Sequence, residues 1–173
     1  MELIKCGKSQ LKSVTALYHR VVRYLETHIN YPKWSSTHPS DSGIADAVET
    51  GVQYLCVENG KLLGAVILNE DPEGDYAAGD WSRDLKDGEF LVIHALAVDP
   101  LCARSGVGSF MVAQCLALAA EGGYKAVRLD VVPGNVPAER LYQKHGFVYI
   151  GTKDLKRNIE GIPVFDLYER NIL

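Results

Sequence analysis

The chain has 173 residues, 47% of them hydrophobic and 23% charged, which suits one soluble globular domain over residues 1–173 with a sizeable core. A formal net charge of -4 and the absence of any Lys/Arg run speak against a nucleic-acid surface. Met1-Glu2-Leu3-Ile4-Lys5 lacks the longer apolar core of a secretory signal, and no apolar run approaches the roughly 20 residues that span a bilayer, so a cytoplasmic protein without a membrane segment is expected.

In chain order, Ser9 is expected to cap a helix in which Leu11, Val14, Leu17, Tyr18, Val21, Val22 and Leu25 recur at helical spacing. Asn30 to Ser40, rich in aromatics, prolines and turn formers, reads as an ordered loop. Its Tyr31 and Trp34, with His38, are candidate substrate walls, or simply pack the loop onto the core. Ser40 or Asp41 then opens a short helix to about Thr50. Gln53 to Val57 and Lys61 to Leu68 are β-rich and flank Asn59-Gly60, a hairpin signal. The acidic stretch from Asn69 to Glu89 reads as a long connection, with Trp81 as an apolar anchor that forms a pocket or pins the loop.

Phe90 to Val98 is a strand that ends where Asp99-Pro100 forces a turn. Val107, Phe110, Met111 and Leu118 then form an apolar helical stripe. Between strand and helix lies Arg104-Ser105-Gly106-Val107-Gly108-Ser109. Glycines at a helix start let backbone N–H groups approach an anion, and the helix dipole adds attraction, so a phosphate or pyrophosphate is the expected guest. A dinucleotide fingerprint would need a third glycine where Met111 stands, and a P-loop would need Lys-Ser/Thr in place of Ser109-Phe110.

Gly122-Gly123 ends that helix, Ala126 to Val132 is the next strand, and Pro137 suits the first turn of a helix holding Leu141 and Tyr142. Phe147 to Thr152 and Ile162 to Glu169 close the fold as strands. The expected order is two helices, three strands, helix, strand, helix, two strands, a mixed α/β domain on one sheet. Cys6, Cys56, Cys102 and Cys115 show no C-x-x-C pair and no spaced histidines, so they read as reduced thiols without a metal site.

The passage Leu96-Ala97-Val98-Asp99-Pro100, then Gly106-Val107-Gly108, then Asn135, Ala138, Leu141-Tyr142, Lys144 and Gly146-Phe147 resembles the GNAT superfamily of N-acetyltransferases in order and spacing. That family commonly places Gln or Arg three residues before the first loop glycine, where this chain has Ala103, with Arg104 one place later. The resemblance implies a single-domain GNAT-like fold, a mixed, mostly antiparallel sheet with flanking helices and splayed central strands. It implies acetyl-CoA as cofactor and CoA as product, held by Leu96, Ala97 and Val98, by Arg104, Ser105, Gly106, Val107, Gly108 and Ser109, and by Asn135 and Lys144.

Acetyl transfer to an amine needs a neutral nucleophile, whereas an alkyl ammonium has a pKa of about 10. His94 is the candidate base, because its pKa is ordinarily near neutrality and strand alternation groups it with Phe90, Val92, Leu96 and Val98. In the family this strand often carries a glutamate as base. Arylalkylamine acetyltransferases are similar to this chain in their HxLAV pattern, but their upstream histidine is Val92 here. Tyr142 is the candidate general acid toward the departing thiolate, and no metal is required.

Tyr31, Trp34, Trp81 and Phe90 suggest an aromatic acceptor wall. The leading expectation is direct acetyl transfer to a small-molecule amine. The alternatives are a catalytically silent acyl-CoA-binding regulatory module and a protein or peptide N-acetyltransferase. The oligomeric state is left open, a homodimer included.

Overall fold

The computed structural model describes residues 1–172. The elements run β1 (Glu2–Lys5), α1 (Leu11–Glu26), α2 (Asp41–Glu49), β2 (Gln53–Glu58), β3 (Lys61–Asn69), β4 (Phe90–Val98), α3 (Val107–Glu121), β5 (Ala126–Val131), α4 (Val136–Lys144), β6 (Val148–Lys153) and β7 (Phe165–Asn171). Hydrogen bonding orders the seven-stranded sheet β1-β2-β3-β4-β5-β7-β6. It is mostly antiparallel, and β4 and β5 are parallel, with Phe90, Leu91 and Val92 opposite Ala126, Val127 and Arg128. A parallel pair needs a helical crossover, and α3 supplies it.

The chain divides into two compact units, the first comprising Met1–Leu68 and His94–Gln114, the second Asn69–Ile93 and the chain from Cys115 on. In the first unit the α1 stripe Val14, Leu17, Tyr18 and Val21 packs with Ile44 and Val48 of α2 and with Leu55, Ala65 and Ala97 of the strands. This is the i, i+3, i+4, i+7 face of an amphipathic helix, and each such buried aliphatic side chain contributes roughly 1.5–3 kcal/mol. Ser40 caps α2, accepting a hydrogen bond from the Gly43 amide at 3.1 Å. At the β2–β3 hairpin Asn59 and Gly60 have φ of 50° and 74°, as a type I′ turn requires.

Two expectations change here. Ser9 does not cap α1; it lies in a 3₁₀ turn, Lys8–Gln10, and Gln10 occupies the cap position. The sequence reading also lacks β1, which pairs antiparallel with β2 through Leu3↔Cys56 and Ile4↔Leu55. Four residues are too short to display an alternation.

The second unit buries Phe90, Val92, Ala126, Phe165 and Leu167 with Tyr76, Leu155 and Ile162 from its connections. The acidic connection expected from Asn69 to Glu89 is tied down in two places. The Tyr76 hydroxyl donates to Asp130 at 2.6 Å, and the Arg157 guanidinium grips both oxygens of that carboxylate at 2.8 Å. Further along, the Ser82 amide donates at 3.0 Å to Glu169, which also pairs with Arg128 at 3.0 Å. Both charges of that pair are buried, and additional hydrogen bonds satisfy them.

On α3 the buried residues are Val107, Met111, Val112, Cys115 and Ala119, whereas Phe110 and Leu118 are half-buried. The helix is apolar on most of its surface, so residue spacing alone does not select its inner face.

Candidate active site

In the first unit the site begins within β4. His94 is buried, and the next residue, Ala95, has φ of 46° in the middle of the strand. A left-handed alanine breaks the pleat as a bulge does. The alternation that grouped His94 with Leu96 and Val98 therefore does not run past Ala95. Instead, Ala95 and Ala97 pack into the core with Tyr18, and Leu96 and Val98 are half-buried.

Past the break, Gly64 of β3 makes room for the second half of β4. A Cβ there would stand 2.7 Å from the Ala97 carbonyl oxygen and 2.9 Å from the Met111 methyl. Close packing of β3, β4 and α3 thus requires glycine at this point.

Asp99 ends the strand and builds the turn. Its Oδ1 accepts from the Leu101 amide at 3.0 Å, and its amide donates to the Leu63 carbonyl at 2.9 Å. Its Oδ2 accepts from Arg20 Nε at 3.1 Å and Nη2 at 2.7 Å, so α1 fixes the start of the loop and neutralises its carboxylate. The turn Pro100–Cys102 follows, and Ala103 to Gly106 are exposed. Arg104 and Gly106 have φ of 63° and 85°. The Gly106 carbonyl accepts from the Phe110 amide at 2.9 Å and so closes the first turn of α3.

The amides of that first turn have no intrahelical acceptors by construction, and no acidic side chain lies in the turn. The Asp99 carboxylate that precedes the loop is engaged by Arg20. A helix N-terminus accepts a phosphate well, and the expected loop Arg104, Ser105, Gly106, Val107, Gly108 and Ser109 lies in this one unit with His94 and Leu96 to Val98.

In the second unit, Asn135 is the N-cap of α4, its Oδ1 accepting from the Ala138 amide at 3.4 Å. Tyr142, on the same helix, is buried edge-on to Phe147 with ring centroids 5.5 Å apart. Burial pushes its phenol pKa well up, and Cys115 and Asp130 add to that, so the hydroxyl stays protonated at any physiological pH. Lys144 is exposed in the last turn of α4.

The four wall candidates separate into two pairs. Tyr31 and Trp34 belong to the first unit, in a loop that Asn30 closes by donating to the Trp34 carbonyl at 2.7 Å and accepting from its amide at 2.9 Å. Trp81 and Phe90 belong to the second unit, where their rings flank the Arg128 guanidinium, each centroid 4.3 Å away.

Sequence reasoning singled out neither Arg20, Gly64, Gln53 nor the hydroxyl of Tyr18. An arginine and an aspartate 79 positions apart carry no local signal of their pairing, and a glycine within a strand signals close approach without naming the neighbour.

Comparison with known proteins accords with this architecture. Residues 15–147 match the model of the acetyltransferase (GNAT) family. A mycothiol acetyltransferase of Clavibacter sepedonicus is 36% identical over 83 residues, covering 48% of this chain. The chain spans about a quarter of that relative's length, the matched part being 27% of it. Among solved structures, a GNAT-family acetyltransferase of Streptococcus agalactiae superposes with a TM-score of 0.81 at 17% identity, over 99% of this chain and 95% of the other. One from Listeria monocytogenes gives 0.78 at 19% identity, over 99% and 94%. With the family model covering most of its length, the chain belongs to the GNAT family of acetyltransferases.

Proposed function

We propose that this protein transfers an acetyl group from acetyl-CoA directly to an amine of a small molecule. The observation that carries the reading is the glycine-entered, acid-free N-terminus of α3, placed directly after a strand whose pleat breaks beside a buried histidine. The donor set fits a pyrophosphate: several first-turn amides, a dipole of the right sign and an exposed Arg104. Bound there, acetyl-CoA supplies a thioester, an acyl donor that needs no metal.

The chain's own residues then have separable roles. Arg104 to Ser109 hold the diphosphate through backbone N–H groups, while Leu96, Ala97 and Val98 offer strand-edge amides to the pantetheine arm and the thioester carbonyl. Asn135 shapes the entry of α4, and Lys144 adds a cation for a phosphate. His94 takes the proton from the attacking ammonium, of which only on the order of one molecule in a thousand is neutral at pH 7. Tyr142, protonated by its burial, gives a proton or hydrogen bond to the departing thiolate. Tyr31 and Trp34 in the first unit, and Trp81 and Phe90 in the second, are the aromatic side chains offered to the acceptor.

The reading is tested by thiol release from acetyl-CoA across an amine panel, comparing the parent with His94→Ala and Tyr142→Phe. Turnover on at least one amine and a loss of about 10²-fold or more in each variant are expected. CoA binding without turnover on any amine would instead indicate an acyl-CoA-binding module.

A further inference from the structure

The left-handed Ala95 is held by a side chain to which neither family membership nor the proposed chemistry assigns a task. Tyr18, fully buried on α1, donates from its hydroxyl to the Ala95 carbonyl oxygen at 2.9 Å. The same hydroxyl accepts from Gln53 Nε2 at 3.3 Å. Gln53 is itself completely buried on β2, and its Nε2 also donates to the Val66 carbonyl at 3.0 Å and the Tyr54 carbonyl at 3.2 Å. Nε2 shares its two hydrogens among these three acceptors, and because it accepts nothing the Tyr18 hydroxyl directs its own proton to Ala95.

This arrangement carries two costs that packing alone would avoid. An alanine sits in a conformation that its Cβ disfavours, and Gln53 Oε1 is buried with no hydrogen-bond partner among the described residues. A leucine on β2 would fill the space of Gln53 without stranding an amide oxygen, but neither it nor a phenylalanine on α1 would supply the donor that the Ala95 carbonyl uses. Strain of this kind persists where the surroundings over-determine it, and it concentrates at functional sites. Here it lies between His94 and the Leu96 to Val98 backbone.

We infer that Tyr18, with its hydroxyl oriented by Gln53, is a positioning residue that locks the break in β4 and so sets the direction of His94 and of the amides that follow. The inference rests on the acetyl-transfer reading for its consequence and on the geometry alone for the lock. Trp34 leans on the same ring, with centroids 6.0 Å apart and planes at 54°. The Tyr31 and Trp34 loop and the strand break therefore share one support.

The test is Tyr18→Phe, which keeps the ring and removes the donor. Native amide hydrogen exchange without ligand should accelerate about tenfold at Leu96 to Val98, while the amides of α2 stay at parent rates. With a reactive amine, kcat should fall about tenfold with KM for the amine within about twofold, as for loss of an interaction that matters in the transition state. Adding Ala95→Gly to Tyr18→Phe should recover most of kcat, because glycine adopts φ of 46° without help from a donor. A purely structural tyrosine would lower the melting temperature without that rescue.

Parent exchange rates at Leu96 to Val98 in folded Tyr18→Phe would overturn the inference. If the parent turns over no amine, the proposed function falls, and the exchange measurement still decides the lock. Should Tyr18→Phe not fold, Gln53→Met removes the orienting donor, and the same exchange readout decides.

Discussion

Gly106 is the residue at which the phosphate cradle can be probed most cleanly. Its φ of 85° lies in the left-handed region, and a Cβ added there would meet nothing within 4 Å among the described residues. A substitution is therefore opposed by backbone conformation alone, at about 1–2 kcal/mol for an ordinary L-residue. Ala103 to Gly106 are exposed, so the loop can relax without disturbing either core. The penalty should accordingly fall on ligand binding and leave the melting temperature nearly unchanged. One to two kcal/mol corresponds to roughly 5- to 30-fold weaker CoA binding. Asparagine tolerates left-handed backbone and should cost least, alanine more, and β-branched valine most. Titration calorimetry with CoA on Gly106→Asn, Gly106→Ala and Gly106→Val gives the order directly. CoA binding as tight as the parent's in the alanine and valine variants would refute the cradle.

Three further predictions follow from burial and charge, and a fourth from direct transfer. Burial raises the phenol pKa values of Tyr18, Tyr76 and Tyr142, and that of Tyr168 is pushed up to about 12. The folded chain thus holds protons that the unfolded chain loses near its ordinary value of about 10, so this stability is complete below that pH and is lost as pH rises through the folded values. Urea midpoints should fall steeply above about pH 10, and a flat profile to about pH 11.5 would contradict the assignment. Glu169→Gln strands the buried Arg128 and should cost about 3–5 kcal/mol in urea unfolding, whereas Arg128→Met with Glu169→Leu should recover most of it; equal losses in the two would argue against charge stranding. Burial pushes the Cys115 thiol up to about 12, while Cys102 is partly exposed, so native alkylation should label Cys102 first and Cys115 only on unfolding. Cys102→Ala should keep parent turnover if transfer is direct.

The sequence was most informative where function depends on the backbone. The β4 span, the hairpin at Asn59-Gly60, the Ser40 cap and the start of α3 all follow from residue types that punctuate structure locally. Longer-range features were not readable in the same way. The four residues of β1 show no period, and the apolar surface of α3 hides which row is inside. The Ala95 break could not be read from an unremarkable alanine, since a hydroxyl 77 residues earlier in the chain holds it. Trp81 was legible as a loop anchor and Phe90 as a strand residue, but their stacking on Arg128 was not, because a cation–π sandwich depends on β5 bringing the guanidinium between them. Local conformation left a signature in the sequence; partners brought together by folding did not.

The central claim is that acetyl passes from acetyl-CoA to an amine with no covalent stop on the protein. Mass spectrometry of a quenched single turnover, reading both the intact protein and the small molecules, tests it most directly. The account predicts N-acetylated amine and free CoA in equal amounts, with the protein mass unchanged at every time point. Acetylated protein that forms and decays at the rate of turnover, on Cys102 or any other side chain, would contradict it.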